Sequence, residues 1–276
     1  VVISTRDRPE YVLSCLQSLV YQEGGWDLFV CVMDEDPSYL RNNWLFNKTL
    51  NRLYHQGHSW FIEYRRGKNQ LVGFQAGLEF ASGRGHELTV ITDDDIMFKP
   101  GWIDSIQRDH RSIPEAAAIA GITLLPWEPE SIQGAPEWFL EHPDYQGRAD
   151  ENSHYYHCTM WPPWKEPREY EQLYGAFMCK TRDFIEVGGF PQFLSPAGCR
   201  GEQWPMIACH NGGKKLLVDP LARSFHYSAP VGGLRWMSPE KKAEYQREDF
   251  RLFGEWLKSR PSRVDSPRNA SGADAR

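Results

Sequence analysis

Over its first 95 residues the chain alternates short apolar runs with stretches of helical periodicity, and this alternation restricts the fold more than any other feature. Val1-Val2-Ile3-Ser4-Thr5 is a β-rich run, and the polar turn Arg6-Asp7-Arg8 separates it from Val12, Leu16, Leu19 and Val20 at helical spacing. Pro9 suits the first helical position because it has no N–H to leave unpaired there. Leu28 to Met33 is almost wholly apolar, and Trp60 to Glu63 is a shorter strand. From Asn69 to Ala81, the residues Leu71, Phe74, Leu78 and Ala81 recur every three or four positions, which makes an amphipathic helix closed by Ser82-Gly83. Leu88 to Ile91 is apolar again. Strands separated by helices join in parallel through right-handed crossovers, so an open α/β sheet is expected. With 276 residues, 41% of them hydrophobic and 25% charged, the chain is long enough for one large domain or two small ones.

Two of these strands end in acid. Leu28–Met33 runs into Asp34-Glu35-Asp36-Pro37, and Leu88–Ile91 into Thr92-Asp93-Asp94-Asp95. The ends of parallel strands are where such sheets bind ligands. Three adjacent carboxylates repel, and without a cation or strong donors some of them stay protonated. A hard divalent ion, Mn2+ or Mg2+, removes that penalty and also holds a diphosphate. The plainer alternative is an acidic turn ahead of a helix that starts near Pro100. Asp34 suits a ribose hydroxyl or a base N–H, or else caps the helix after Pro37. The backbone N–H groups of Thr5 and Arg6 lie near a helix N-terminus, where a phosphate or nucleotide binds.

A formal charge of −6 argues against a broadly basic nucleic-acid surface while leaving room for a local basic groove. No apolar run approaches the length of a bilayer span and nothing resembles a signal peptide, so the expected compartment is the cytoplasm. The sequence opens directly on a strand, or was trimmed ahead of it. The cysteines at 15, 31, 158, 179, 199 and 209 form no C-x-x-C pair and read as reduced thiols. His154-Tyr155-Tyr156-His157-Cys158 imitates a zinc half-site, with no second cluster to complete it. Between Pro126 and Tyr170, seven prolines accompany Trp127, Trp138, Trp161 and Trp164. Prolines at that density prevent long regular elements, and the indoles either cover a sugar or base face or anchor a loop to the core. Ser238-Pro239 starts a helix in which Phe250, Phe253 and Leu257 share a face. From about Arg260 large apolar residues almost vanish, and a disordered tail is expected.

The ordered series Val1–Pro9, Asp34, the Gly67-to-Gly77 helix entry, Asp93-Asp94-Asp95 and Pro100-Gly101-Trp102 resembles the nucleotide-sugar half of GT-A glycosyltransferases, family 2 in particular. The resemblance continues through Tyr174-Gly175-Ala176-Phe177-Met178, Val187-Gly188-Gly189-Phe190, Gly201-Glu202-Gln203-Trp204, Asp219-Pro220 and Phe225-His226, and so covers residues 1 to 228. It implies a single GT-A domain over 1–258, Rossmann-like, with a mostly parallel central sheet. Residues 1–125 would form the nucleotide-sugar half, 126–170 an acceptor-side insertion and 171–258 the acceptor half with the last helix, ahead of a tail over 259–276.

Carried over residue by residue, the resemblance places Thr5, Arg6 and Asp34 at the nucleoside, with Asp93 and Asp94 also on the donor side. It makes Asp93 and Asp95 the Asp-x-Asp pair, and His226 completes a Mn2+ or Mg2+ shell unless it is a core histidine satisfied by backbone. Trp204, Tyr174, Gly175, Trp161 and Trp164 fall on the acceptor side. Glu202 is the candidate general base, or else a first-turn acid that favours a helix dipole. Here the sequence departs from the family, whose base is the second residue of a Glu-Asp pair: Gln203 stands there, and an amide accepts no proton at neutral pH. The implied activity is transfer of a sugar from a nucleoside diphosphate donor, UDP-sugar first, to a hydroxyl of a saccharide, a metabolite or a modified nucleic-acid base. Inversion is favoured over retention. The competing readings are a non-catalytic nucleotide- or glycan-binding relative and a sugar-phosphate nucleotidyltransferase.

Overall fold

An inner strand of the sheet is β1 (Val2–Thr5), whose four residues are all buried. It pairs in parallel with β2 (Leu28–Val32) on one side and β4 (Leu88–Asp93) on the other, and Ser4 is level with both Cys31 and Asp93. The structure is a computed structural model and describes residues 1–34, 36–66, 69–124, 164–196, 198, 201–227 and 238–259. Beyond β2 lies β3 (Trp60–Tyr64), again parallel. Beyond β4 the order continues through β8 (Phe177–Lys180), β6 (Ala116–Leu124), β9 (Lys215–His226) and β5 (Ile96–Phe98), while β7 (Arg168–Glu169) pairs with β9. Because β8 is antiparallel to both β4 and β6, and β6 is parallel to β9, the strands β1, β2, β3, β4, β6 and β9 all run one way. The expected mostly parallel α/β sheet is present, with an antiparallel strand wedged into it.

Alternate residues of the central strands enter opposite cores, as a period of two requires. Val2 and Phe29 pack with Leu71, Phe74 and Leu78 of α4 (Gln70–Gly83), whereas Ile3 and Val30 pack with Val12, Leu16 and Leu19 of α1 (Pro9–Leu19). Helix α4 lies almost on the backbone of β1: a Cβ at Gly77 would overlap Val2, and one at Gly73 would overlap Ser4 and Cys31. The second core is shared by α5 (Trp102–Ser112), through Trp102, Ile103 and Ile106. The described cysteines, Cys15, Cys31, Cys179 and Cys209, are free and buried, in line with reduced thiols.

The helix expected after Pro37 is present and short, and further elements lie outside the expected series. The four-residue α2 (Ser38–Arg41) leads to α3 (Trp44–His55), which starts where the Asn43 side chain accepts from the N–H of Phe46 and buries Phe46, Leu50 and Leu53. Strand β6 has an alanine-rich sequence of weak strand propensity, and it forms because all nine residues are buried between neighbours. The remaining helices are α6 (Thr181–Glu186), α7 (Gln203–Asn211) and α8 (Pro239–Ser259). Most of the expected 126–170 insertion, and all of the 259–276 tail except Ser259, lie outside the described residues. No described helix is long and apolar enough to cross a membrane.

One buried group ties stability to pH. His110 of α5 is 5% exposed and its Nε2 lies 3.0 Å from the carbonyl of Met178. Burial pushes its pKa down from 6.5 to about 4. The neutral ring therefore suits the fold, and its contribution is complete above pH 6.5 and lost as pH falls toward 4. At pH 4.5 this group should cost about 2.5 kcal/mol of unfolding free energy relative to pH 7.5. Denaturant unfolding of the wild type and of His110→Gln at both pH values checks this: the difference between the two proteins should shrink in acid.

Candidate functional site

The acidic cluster is assembled by a tight turn. Strand β4 ends at Asp93, and the chain reverses through Asp94 and Asp95 into β5, whose Ile96 pairs antiparallel with His226 at the end of β9. The N–H of Tyr227 donates to the carbonyl of Asp95 at 2.9 Å and fixes that register. As a result one ligand atom from each of Asp93, Asp95 and His226 lies within 4.8 Å of the others. His226 Nε2 is 3.1 Å from Asp95 Oδ1.

Asp94 is engaged elsewhere. Its Oδ2 accepts from Thr5 Oγ1 at 2.6 Å and its Oδ1 from Arg8 Nη1 at 3.0 Å, and the residue is buried. Arg8 Nη1 also reaches Asp95 Oδ2 at 3.4 Å. The sequence reading puts Asp94 on the donor side and Thr5 at the nucleoside. Both side chains lock the turn to β1 through their mutual hydrogen bond, because a buried carboxylate takes the nearest donors. Arg8, read from sequence as part of a polar turn, is the cation that holds the acid edge together. The available signal was that Arg6 and Arg8 are the basic residues of the turn after β1.

Asp34, at the end of β2, is also buried, and its carboxylate accepts from the N–H of Asp7 and, at 2.7 Å, from the Tyr39 hydroxyl. Asp7 adopts a left-handed φ of 54°, which turns its N–H toward Asp34. Arg6 Nε lies 3.8 Å from the Asp7 carboxylate. Thr5, Arg6 and Asp34 thus gather beside the acid cluster. Tyr39 joins them from α2, and nothing in the sequence singled it out.

The electrostatics reflect crowded acid. Burial, followed by repulsion from Asp95, pushes the Asp93 carboxyl up, and Glu202 adds to the shift. Burial pushes Asp94 up to about 7 even with Arg8 opposing it. Burial works against charge on His226, yet the hydrogen bond and charge of Asp95 outweigh it and the net shift is upward. Two carboxylates and an imidazole within 4.8 Å are a hard-to-borderline donor set that suits Mn2+ or Mg2+, and a cation there relieves the repulsion that raises Asp93. The residues fit the ion.

Glu202 approaches from another part of the chain. It occupies the N-cap of α7 without capping it, is half-buried, and lies close enough to Asp93 to raise that residue's pKa. Gly201 lets this corner seat on α4, since a Cβ there would overlap Leu71. Helix α8 braces the corner: Asp249, buried, accepts from Ser195 N at 2.9 Å and Ser195 Oγ at 2.7 Å, and Asn69 donates to the carbonyls of Leu194 and Ser195. Gln203, which follows Glu202 and opens α7, is buried.

The acceptor-side residues divide. Trp204 is not an open wall: it is 4% exposed, stacked on Trp256 at 4.7 Å and packed by Phe193 and Phe253. It acts as a core anchor between α7 and α8, because a large ring next to a second apolar helix is buried rather than left facing water. Tyr174 donates to Gln172 Oε1 at 3.2 Å, and Gly175, at φ 70°, passes so close to Thr123 that a Cβ would overlap its hydroxyl. Trp164 is half-buried with the Arg168 guanidinium 4.7 Å from its ring centre. Trp161 lies outside the described residues.

No protein-family model matches the chain, and no curated protein matches it by sequence. Solved structures do. A structure of GalNAc-T7 with UDP, GalNAc and Mn2+ aligns over 84% of this chain and 50% of its own, at 13% identity and a TM-score of 0.50. The mannosyltransferase PcManGT from Pyrobaculum calidifontis, in complex with GDP-Man and Mn2+, aligns over 94% of this chain and 64% of its own, at 12% identity and a TM-score of 0.58. S. aureus TarS in complex with UDP-GlcNAc aligns over 92% and 70%, at 10% identity and a TM-score of 0.58. The chain thus spans half the length of the first of these proteins and 64% of the second. At such identities the likeness is one of architecture, and the chain has the GT-A fold.

Proposed function

We propose that the chain is a metal-dependent glycosyltransferase that moves a sugar from a nucleoside diphosphate donor to a hydroxyl acceptor, with inversion. The observation that carries this reading is the convergence of Asp93, Asp95 and His226 within 4.8 Å at the strand-end edge of a GT-A sheet, with Glu202 in electrostatic reach. The uridine nucleotides in the GalNAc-T7 and TarS structures make a UDP-sugar the first donor to test, and the GDP-Man of the mannosyltransferase the second.

Asp93, Asp95 and His226 would hold a Mn2+ or Mg2+ ion, which when bound supplies positive charge opposite the diphosphate that leaves. Arg8 and Thr5 keep Asp94 out of that shell and fix the turn, so the ligand carboxylates need not reorganise. The strand-end group of Arg6, Asp34 and Tyr39 receives the nucleoside. Glu202 takes the proton of the acceptor hydroxyl as that oxygen attacks the anomeric carbon, on the face opposite the leaving group. The Ser195–Asp249 clasp and the stack of Trp204 on Trp256 hold α7, and with it Glu202, in place. A second reading, a binding protein without turnover, has one observation in its favour: Gln203, buried where the family has its base.

The test is a donor screen that measures nucleoside diphosphate release with Mn2+ and with EDTA. Release from one donor class, abolished by EDTA, is the expected result, and product NMR should show the inverted anomer. Tight nucleotide binding without release would favour the binding-protein reading, and pyrophosphate released in a parallel assay from a nucleoside triphosphate and a sugar 1-phosphate would indicate a nucleotidyltransferase.

A further inference from the structure

Beside the strand end that carries His226, α1, α3 and the antiparallel pair β5–β9 enclose a groove of about 850 Å³. Its floor is apolar, with Val20, Met97 and Phe225, and Lys48, Arg52 and Lys99 stand around it. No Asp or Glu lines it among the described residues, in a chain whose formal charge is −6. The twelve residues of α3 include Lys48, Arg52 and His55 and no carboxylate. Lys48 and Arg52 are exposed and make no ion pair among the described residues; they lie instead over aromatic rings, Lys48 Nζ 5.8 Å from the ring centre of Trp44 and the Arg52 guanidinium 5.6 Å from that of Tyr21. These rings face water: Trp44 is 70% exposed and Tyr21 61%, with Leu45 beside them at 41%.

Large apolar side chains left in water beside Lys48 and Arg52 form the kind of exposed patch that marks an interaction site. Together they suit the boundary of an anionic bilayer, where indole, phenol and leucine side chains enter the headgroup layer and lysine and arginine meet its negative charge. A nucleic acid would be matched by cations spaced along a track of phosphates. Here they ring an apolar hollow. We propose that this groove and the outer face of α3 form a docking surface for an anionic membrane, with Lys48, Arg52 and Lys99 on lipid phosphates and Trp44 and Leu45 inserted beside them. The surface is independent of the sugar-transfer reading, although Phe225 and Tyr227, which line the groove, flank His226 in sequence.

Co-sedimentation of the full chain with vesicles tests this. Vesicles of phosphatidylcholine doped with phosphatidylglycerol should bind the protein, and vesicles of phosphatidylcholine alone should not. Raised salt should weaken the binding. The double variant Lys48→Glu/Arg52→Glu should lose at least about tenfold in vesicle affinity, since each basic residue near an anionic surface contributes on the order of 1 kcal/mol. Trp44→Ser/Leu45→Ser should weaken binding at every salt concentration. All four residues are exposed, so the thermal melts of these variants should match the wild type. Equal binding to both vesicle types, no binding to either, or full binding by the charge-reversed variant would overturn the proposal. So would displacement by millimolar inorganic phosphate, which would mark a free-phosphate site, or tighter binding to a DNA oligonucleotide than to the doped vesicles.

Discussion

Glu202→Gln should lower sugar transfer by about 100- to 10,000-fold while leaving donor affinity unchanged. The amide keeps the shape and hydrogen bonding of the carboxylate but accepts no proton. Glu202 sits at the α7 N-cap without a side-chain cap hydrogen bond, and its charge on the helix dipole contributes about 0.3 to 1 kcal/mol. A loss of stability of that size with near wild-type turnover would remove the base assignment. Gln203→Asp is the companion. Gln203 is 3% exposed, so a carboxylate in its place is stripped of water beside the charge of Glu202, and activity should fall. A gain would mark the site as one that lost its base at this position. Single-turnover kinetics with calorimetric donor binding separates these outcomes.

Asp95→Asn should abolish metal-dependent donor binding and cost on the order of 1,000-fold in turnover, because Asp95 is the acid that meets both His226 and Arg8. Without metal the same substitution should be neutral or stabilising, since it removes one of the like charges that push Asp93 and Asp94 up. The two effects have opposite signs, which excludes simple misfolding. Mn2+ at about 100 times its dissociation constant should stabilise the wild type by about 2.7 kcal/mol and leave the variant unmoved. His226→Ala should show a smaller version of the same pattern. A Mn2+-induced melting shift that survives in Asp95→Asn would overturn the assigned ion site.

What the sequence disclosed follows from what local pattern controls. An apolar run that breaks into acid reads as a buried strand reaching an edge, so β2, β4 and the carboxylates at Asp34 and Asp93 to Asp95 are legible in the sequence. His226 was legible only through the order of distant motifs, because its meeting with Asp95 depends on the β5–β9 register. Arg8 and Tyr39 were not, since their partners are chosen by the left-handed turn at Asp7 and the placement of α2. Trp204 read as an acceptor-side residue, and its packing on Phe253 and Trp256, some 50 residues downstream, is what local sequence does not show. The alanine run of β6 carries little strand propensity of its own and becomes a strand only between β8 and β9.

The wedged strand β8 has a consequence for how the molecule is made. It lies between β4 and β6 and bonds to both, yet it is synthesised after residue 176, long after either neighbour. While the chain emerges, β4 carries a paired edge toward β1 and a bare one on its other side, and β6 has neither of its final partners. Unpaired edges of this kind recruit strands from other chains. Closing so long a loop is also slow, because the entropy of closure is lost before the pairing rewards it. The acidic turn sits next to that open seam, so its geometry is completed late. A nascent or recombinant fragment ending near Leu124 should therefore aggregate, and refolding of the full chain should be limited by the arrival of β8, with the binding edge among the last parts of the protein to become competent.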